Sequence, residues 1–175
     1  MKLRVDTIPE EGMDIEGDIG PEQVALDMPN YRLTEPLHFS GHATKAEDDV
    51  YIDGILRGEV EADCSRCLEP MNLPIELELN VMFVPGQKVP EGNGGAIEPE
   101  SNVAFYVDET IDLLQELRDL LLVNLPIKPI CRADCKGLCA LCGKNLNISG
   151  CDCPESPNES PFSKLLEVKK RMEKK

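Results

Sequence analysis

The sequence predicts an α+β protein. It has a small antiparallel sheet curling toward a barrel, one amphipathic helix packed on that sheet, a Cys-rich metal-binding lobe and a short C-terminal helix. Three observations carry this. Between Leu37 and Phe83 apolar and polar residues alternate in successive runs, the period of half-buried strands. Between Ile111 and Leu122 the apolar residues recur at helical spacing. Six of the eight cysteines fall between Cys131 and Cys153, separated by small and turn-forming residues. Such a run lets a short piece of backbone wrap a soft cation.

The elements follow in order. Met1 to Ile8 sets Leu3 and Val5 among polar neighbours, as a half-buried strand does. Pro9 to Pro29 is acidic and Gly-rich and is expected to be a loop or insertion. Leu37 to Gly41 and Val50 to Ile52 read as strands around the polar turn from Lys45 to Asp49. Ile55 to Asp63 continues the pattern into Cys64-Ser65-Arg66-Cys67. Leu73, Ile75, Leu77, Leu79, Val81 and Phe83 make the clearest strand, with the Cys-x-x-Cys in the turn that feeds it. Val103 to Val107 adds another. The helix is expected to start at Asp108 or Asp112, with Gln115 three residues after the second of these. Its stripe is Ile111, Leu114, Leu117 and Leu121, and Pro126 ends it. The organisation is therefore 1–84 as an antiparallel β region, 85–102 as a flexible acidic linker and 103–130 as strand, helix and strap. A metal-binding lobe at 131–153 and a spacer with a basic helix at 154–175 follow, all in one composite domain.

Composition narrows the function. The net charge is −15, with 33 acidic against 18 basic side chains. That field repels phosphate backbones and favours basic partners. There is no Trp, so base-stacking platforms are not expected. No apolar run has the length of a signal peptide or a membrane span, which points to the cytoplasm. There thiols stay reduced, so eight cysteines argue for metal rather than disulfides.

Eight cysteines divide into two four-thiolate zinc sites, which are tetrahedral and structural. The preferred division joins Cys64 and Cys67 to Cys131 and Cys135, and leaves Cys139, Cys142, Cys151 and Cys153 as a local site. Two others stay open: Cys131, Cys135, Cys139 and Cys142 together, or the two Cys-x-x-Cys knuckles paired as in a zinc ribbon. Gly143 after Cys142 suits a turn that needs positive φ. Cys135-x-x-x-Cys139-x-x-Cys142 also has the spacing of a radical iron–sulfur enzyme. Its place near the C-terminus and the ready fourth thiol weigh against that. A redox Cys64-Ser65-Arg66-Cys67 lacks the strand-to-helix setting that lowers a thiol pKa. His38 and His42 share a strand face with no acidic third ligand placed beside them. Glu109, Asp112, Glu116 and Asp119 are expected to be the solvated side of the helix. Lys164, Lys169, Lys170, Arg171, Lys174 and Lys175 form the one basic tail and are candidates for RNA contact.

Several strings together resemble the YceD family, the large ribosomal RNA subunit accumulation proteins. They are Glu61-Ala62-Asp63-Cys64-Ser65-Arg66-Cys67-Leu68-Glu69-Pro70, Leu125-Pro126-Ile127-Lys128-Pro129, and Cys135-Lys136-Gly137-Leu138-Cys139-Ala140-Leu141-Cys142-Gly143-Lys144-Asn145-Leu146-Asn147. Relatives carry Asp-Pro-Arg where this chain has Ser160-Pro161-Phe162, so no role of that arginine carries over. The resemblance implies a non-enzymatic factor in the synthesis, processing or stability of large-subunit ribosomal RNA. The acidic charge adds basic ribosomal proteins or assembly factors as partners. A zinc-dependent protein-interaction adaptor unrelated to ribosomes is the alternative. An iron–sulfur or thiol redox enzyme is the third reading.

Overall fold

The computed structural model describes residues 1–24, 26, 28–86 and 102–153. The chain divides into two compact units, Met1–Cys135 and Lys136–Lys175. The division falls within the cysteine-rich run, so Cys131 and Cys135 go with the β region.

In the first unit, β1 (Lys2–Arg4), a 3-10 turn (Val5–Thr7), β2 (Met13–Ile19) and β3 (Tyr31–Arg32) precede β4 (Leu37–Ala46) and β5 (Asp49–Asp63). Then come β6 (Pro70–Pro85), β7 (Val103–Tyr106), β8 (Thr110–Asp112) and α1 (Leu113–Asn124). The six-stranded sheet runs β2-β4-β5-β6-β7, and β3 pairs with the far end of β5. β1 and β8 form a separate antiparallel pair. The sheet stays open rather than closing as a barrel. Its strands are antiparallel except β7, which runs parallel to β6.

Strand alternation sorts the sheet into two faces. On β5, Val50, Ile52, Leu56, Val60 and Ala62 are buried, while Tyr51, Asp53, Arg57 and Glu59 face solvent. Phe39, Phe83, Leu37, Ile19 and Ile52 fill the inner layer. Gly41 and Gly54 sit opposite one another on β4 and β5 and leave a slot for the Phe39 ring. A Cβ on Gly54 would lie 2.6 Å from Phe39 Cζ.

Asp112 caps α1 by accepting the Leu114 N–H at 3.2 Å. The helix buries Leu113, Leu117 and Leu121, and Leu125 follows just past its end. Ile111 is buried too, but from β8, because the strand paired to β1 takes the residues that the helical stripe would have started on. The helix ends at Asn124 with Leu125 extended, as Pro126 requires of the residue before it. Among the described residues no helix is long and apolar enough to cross a membrane.

Two expectations need correction. Residues 13–19, read as part of a loop, form β2, paired with β4 from Leu37 to Ala43. The turn between β4 and β5 shrinks to Glu47 and Asp48, with Glu47 at φ 58°. The regions expected to be a linker and a basic C-terminal helix lie, but for a few linker residues, outside the described residues.

Candidate metal centres

The β5–β6 connection is a knuckle. Leu68 donates its N–H to Cys64 O at 2.9 Å, and Cys64 donates its own to Glu69 O at 2.9 Å. The Arg66 N–H points at Cys64 Sγ at 3.5 Å. Leu68 takes φ 60°, the left-handed conformation that lets the turn fold back under its sulfurs.

The second unit repeats this bond for bond. Gly143 N–H goes to Cys139 O at 2.9 Å, Cys139 N–H to Lys144 O at 2.8 Å, and Leu141 N–H to Cys139 Sγ at 3.4 Å. Gly143, at φ 70°, stands where Leu68 stands in the first knuckle. The string after it is structural. Asn145 bridges to Leu138, Leu146 donates to Gly137 O at 2.9 Å, and Asn147 Oδ1 accepts the Lys136 N–H at 2.8 Å.

The sulfurs gather in two quartets, each within one unit. Cys64, Cys67, Cys131 and Cys135 form one, and Cys139, Cys142, Cys151 and Cys153 the other. Within each quartet all four ligand atoms lie inside 4.8 Å of one another. A zinc–sulfur bond of about 2.3 Å implies a tetrahedron edge of about 3.8 Å. Cys64 and Cys135 are 3.9 Å apart, and Cys67 and Cys131 are 3.7 Å apart. Four thiolates on one ion therefore fit. An iron–sulfur cluster spreads four cysteines over two or four irons, so some of them must stand wider apart. With four thiolates converging, no coordination position is left open. Each quartet could hold a metal ion.

The first quartet is deep: Cys64, Cys67 and Cys135 are 0%, 3% and 4% exposed. Its strap is held at several points. Ser65 donates its N–H to Pro129 O at 2.8 Å, and the Cys131 N–H points at Cys64 Sγ at 3.4 Å. Arg66 reaches across to Cys135 O at 3.0 Å and Ala133 O at 3.4 Å. Tyr31, buried on β3, donates its hydroxyl to Pro126 O. Arg32 beside it forks onto Glu61 and Asp63, just before the knuckle. Its guanidinium pulls the Asp63 carboxyl below the usual carboxylate range. Sequence reasoning passed over Tyr31, Arg32 and Arg66. The available signal was an arginine inside the Cys-x-x-Cys and a Tyr-Arg pair with strand character.

Electrostatics divides each quartet. Burial raises the Cys64 thiol, but N–H groups of Cys131, Cys67 and Arg66 outweigh it and hold the thiol at about 6. The N–H groups of Cys142 and Leu141 bring Cys139 to about 6 as well. Cys131 is pushed up to about 12 by burial and by its neighbouring sulfurs. Cys153 goes to about 12 through its contact with Cys142 and through burial. Each quartet thus offers one ready thiolate, and the remaining protons must leave as a cation enters.

The other sequence candidates fare differently. His38 and His42 do have acidic neighbours, Asp18 and Asp14, each at 2.8 Å, because β2 lies beside β4. Each ring meets one carboxylate on the exposed face. Asp112 is the helix cap, Glu109 lies ahead of the helix, and Glu116 is half-buried rather than solvated. Lys164, Lys169, Lys170, Arg171, Lys174 and Lys175 lie outside the described residues.

These features define a class: an α+β protein with twin Cys-x-x-Cys knuckles and two four-cysteine sites, one of them joining a sheet turn to a strap beyond the helix. Residues 52–169 match the family described as large ribosomal RNA subunit accumulation protein YceD, and the chain belongs to that family. An uncharacterized protein of Mycobacterium leprae (strain TN) is 30% identical over 126 residues, covering 72% of this chain and 56% of that protein. A second, from Mycobacterium tuberculosis (strain ATCC 25618 / H37Rv), is 31% identical over 125 residues, covering 71% and 56%. The Arabidopsis thaliana protein named large ribosomal RNA subunit accumulation protein YCED homolog 1, chloroplastic, is 26% identical over 177 residues, covering 87% and 54%. The chain spans about half the length of the curated relatives it matches. No solved structure matches.

Proposed function

We propose that this protein is a non-enzymatic factor in the accumulation of large-subunit ribosomal RNA, with one structural zinc ion in each cysteine quartet. The family match over residues 52–169 carries the ribosomal part. The convergence of four sulfurs at each site supports a structural rather than a catalytic metal, since a catalytic ion keeps a position for water or substrate. Zinc suits an all-thiolate tetrahedron, and work in the cytoplasm would keep the thiols reduced.

Its partners are basic large-subunit proteins or assembly factors. The solvent face of the sheet supports this, with Asp14, Glu16 and Asp18 on β2, Asp53 and Glu59 on β5, and Glu76 and Glu78 on β6. Against them stand Arg32, Arg57 and two histidines, already paired to Glu61 and Asp63, to Glu76, and to Asp18 and Asp14. Such a face steers cationic polypeptide in and holds phosphate off. Direct contact with RNA falls to the tail lysines and Arg171.

Depletion tests the reading. Mature large subunits should fall on a sucrose gradient, and unchanged profiles would sink it. Affinity capture should recover basic large-subunit proteins; recovery of other proteins instead favours the unrelated adaptor. Purified protein should be colourless with two zinc ions per chain, whereas a brown preparation would revive the iron–sulfur enzyme.

A further inference from the structure

We propose that the groove between helix α1 and the edge of β6 that no described strand covers takes an extended lysine- or arginine-rich segment of a partner polypeptide, added to the sheet as a strand along Glu76–Asn80. This rests on the reading of the protein as a binder of basic partners and says where and how one is held.

The first support is the edge itself. Met82 donates its N–H to Asn102 O at 2.9 Å, and Asn80 O accepts from the Asn102 side chain at 2.9 Å. The even-numbered residues of β6 therefore direct their backbone groups away from β5. β7 occupies that side only from Met82 onward. Among the described residues no strand pairs there between Pro70 and Val81. Pro74 stands at an outward position and has no N–H to offer, so the usable ladder is Glu76, Glu78 and the N–H of Asn80, whose carbonyl Asn102 already occupies.

The second support is what flanks the ladder. A cleft of about 350 Å³ lies between this stretch and α1. Leu79, Leu120 and Val123 line it, the last 84% exposed, and Glu78, Glu116 and Asp119 bring three carboxylates. On the same edge Ile75 and Leu77 are only half-buried, so the apolar face of β6 continues under the open ladder. Burial, with Asp119 nearby, pushes the Glu116 carboxyl above its ordinary value. No cationic side chain among the described residues pairs with Glu78, Glu116 or Asp119. A strand added here would send alternate side chains toward α1 and toward the outer face beside Glu76 and Glu78. Lysine and arginine suit both, since the stem covers apolar surface while the head reaches a carboxylate.

Charge also selects among occupants. Phosphates would meet carboxylates on both sides. A second copy would set glutamates against glutamates, the device by which edge strands avoid self-pairing. A cationic strand gains backbone hydrogen bonds from the ladder and charge pairs from its rim.

The test titrates the isotopically labelled full chain with an acetylated peptide of alternating lysine and valine, followed by amide resonances. Shifts should gather at Glu76, Glu78, Asn80 and the exposed residues of α1. Glu116→Gln with Asp119→Asn should weaken binding about tenfold, as expected for losing close charge partners. A peptide with the same charges but N-methylated backbone should lose the edge shifts; equal binding by it would mean charge alone and would overturn the proposal. Shifts confined to β2, or the same amides responding to a single-stranded RNA oligonucleotide, would overturn it as well. If the peptide binds as described while depletion leaves large-subunit RNA unchanged, the ribosomal reading fails and the groove stands. The opposite pair of results removes the groove and leaves that reading.

Discussion

The strongest consequence of the first quartet concerns the distance it spans in sequence. Cys64 and Cys135 are 71 residues apart, and Cys67 and Cys131 are 64 apart. A cross-link closing a loop of about 70 residues removes unfolded-state entropy worth ~4 kcal/mol on the scale used for disulfides, and a metal clip acts in the same way. The Cys135→Ser substitution should therefore release one metal ion and lower the melting temperature of the β-sheet unit by on the order of 10–15 °C, given 2–4 °C per kcal/mol for a unit of this size. Circular dichroism in the far ultraviolet reads the melt, and elemental analysis reads the ion. Hydrogen exchange at the Ser65 amide, bonded to Pro129 O, reports whether the strap has lifted. Cys142→Ser supplies the control. It should also cost one ion, yet leave the sheet's melting within about 2 °C, because its quartet closes no loop within that unit. If Cys135→Ser loses its ion and melts as the parent does, the quartet is not a clamp and the loop argument is wrong.

Other substitutions probe the local chemistry. Leu68→Gly relieves a left-handed leucine that is 64% exposed and should stabilise the protein by about 0.5–1 kcal/mol, read from denaturant midpoints. Gly143→Ala should cost the second knuckle about 1 kcal/mol, visible as weaker metal retention, although nothing lies within 4 Å of the added Cβ. Glu116 is raised in the fold, so its contribution is present at low pH and lost as pH rises through the folded value. Glu116→Gln should accordingly stabilise the protein at neutral pH, with the gain disappearing below about pH 4, where the unfolded carboxyl is protonated too. A chelator should strip the second quartet first, since its four cysteines are half-buried or exposed whereas three of the first four are buried. Loss of both ions in one step would refute that order.

Much of this was legible in the chain, and the failures have physical causes. The alternation in β5 and β6 is strong because one face of β5 is mostly buried and the matching face of β6 is buried or half-buried. β2 obeys the same rule, with Ile15 and Ile19 buried and Asp14, Glu16 and Asp18 outward. Its acidic residues and Gly17 are poor strand formers taken singly, and only pairing with β4 gives them a reason to extend. Missing β2 concealed the carboxylates beside His38 and His42. Ile111 fits a helical stripe by spacing yet belongs to β8, because its partner Leu3 lies over a hundred residues upstream and no local pattern can show it. The parallel course of β7 is hidden for the same reason. Cysteine spacing singled out the candidate ligands but left three divisions open. The sheet turn and the strap meet through Tyr31, Ser65 and Arg66, contacts between residues distant in sequence.

The two knuckles show why a shared motif does not imply a shared task. Their backbone bonds correspond one for one, and each presents a first thiol lowered to about 6 by amide donors at its sulfur. The difference is where the other two ligands come from. At Cys139 and Cys142 they are Cys151 and Cys153, a few residues on, so a metal held there would close a loop of about 15 residues, worth ~3 kcal/mol, in a segment with no described helix or extended strand of its own. At Cys64 and Cys67 they arrive after β6, β7, β8 and α1, and the same knuckle fastens the end of the helix strap to the sheet. That fastening carries the chain from α1 back to the base of β5 and β6, leaving α1 beside β6 and the cleft between them. The edge proposed to take a partner and the quartet that could hold a metal are therefore connected through α1. A metal-free first quartet should loosen the side of the groove that holds Glu116 and Asp119, so occupancy of the buried site sets how well the acidic groove is formed.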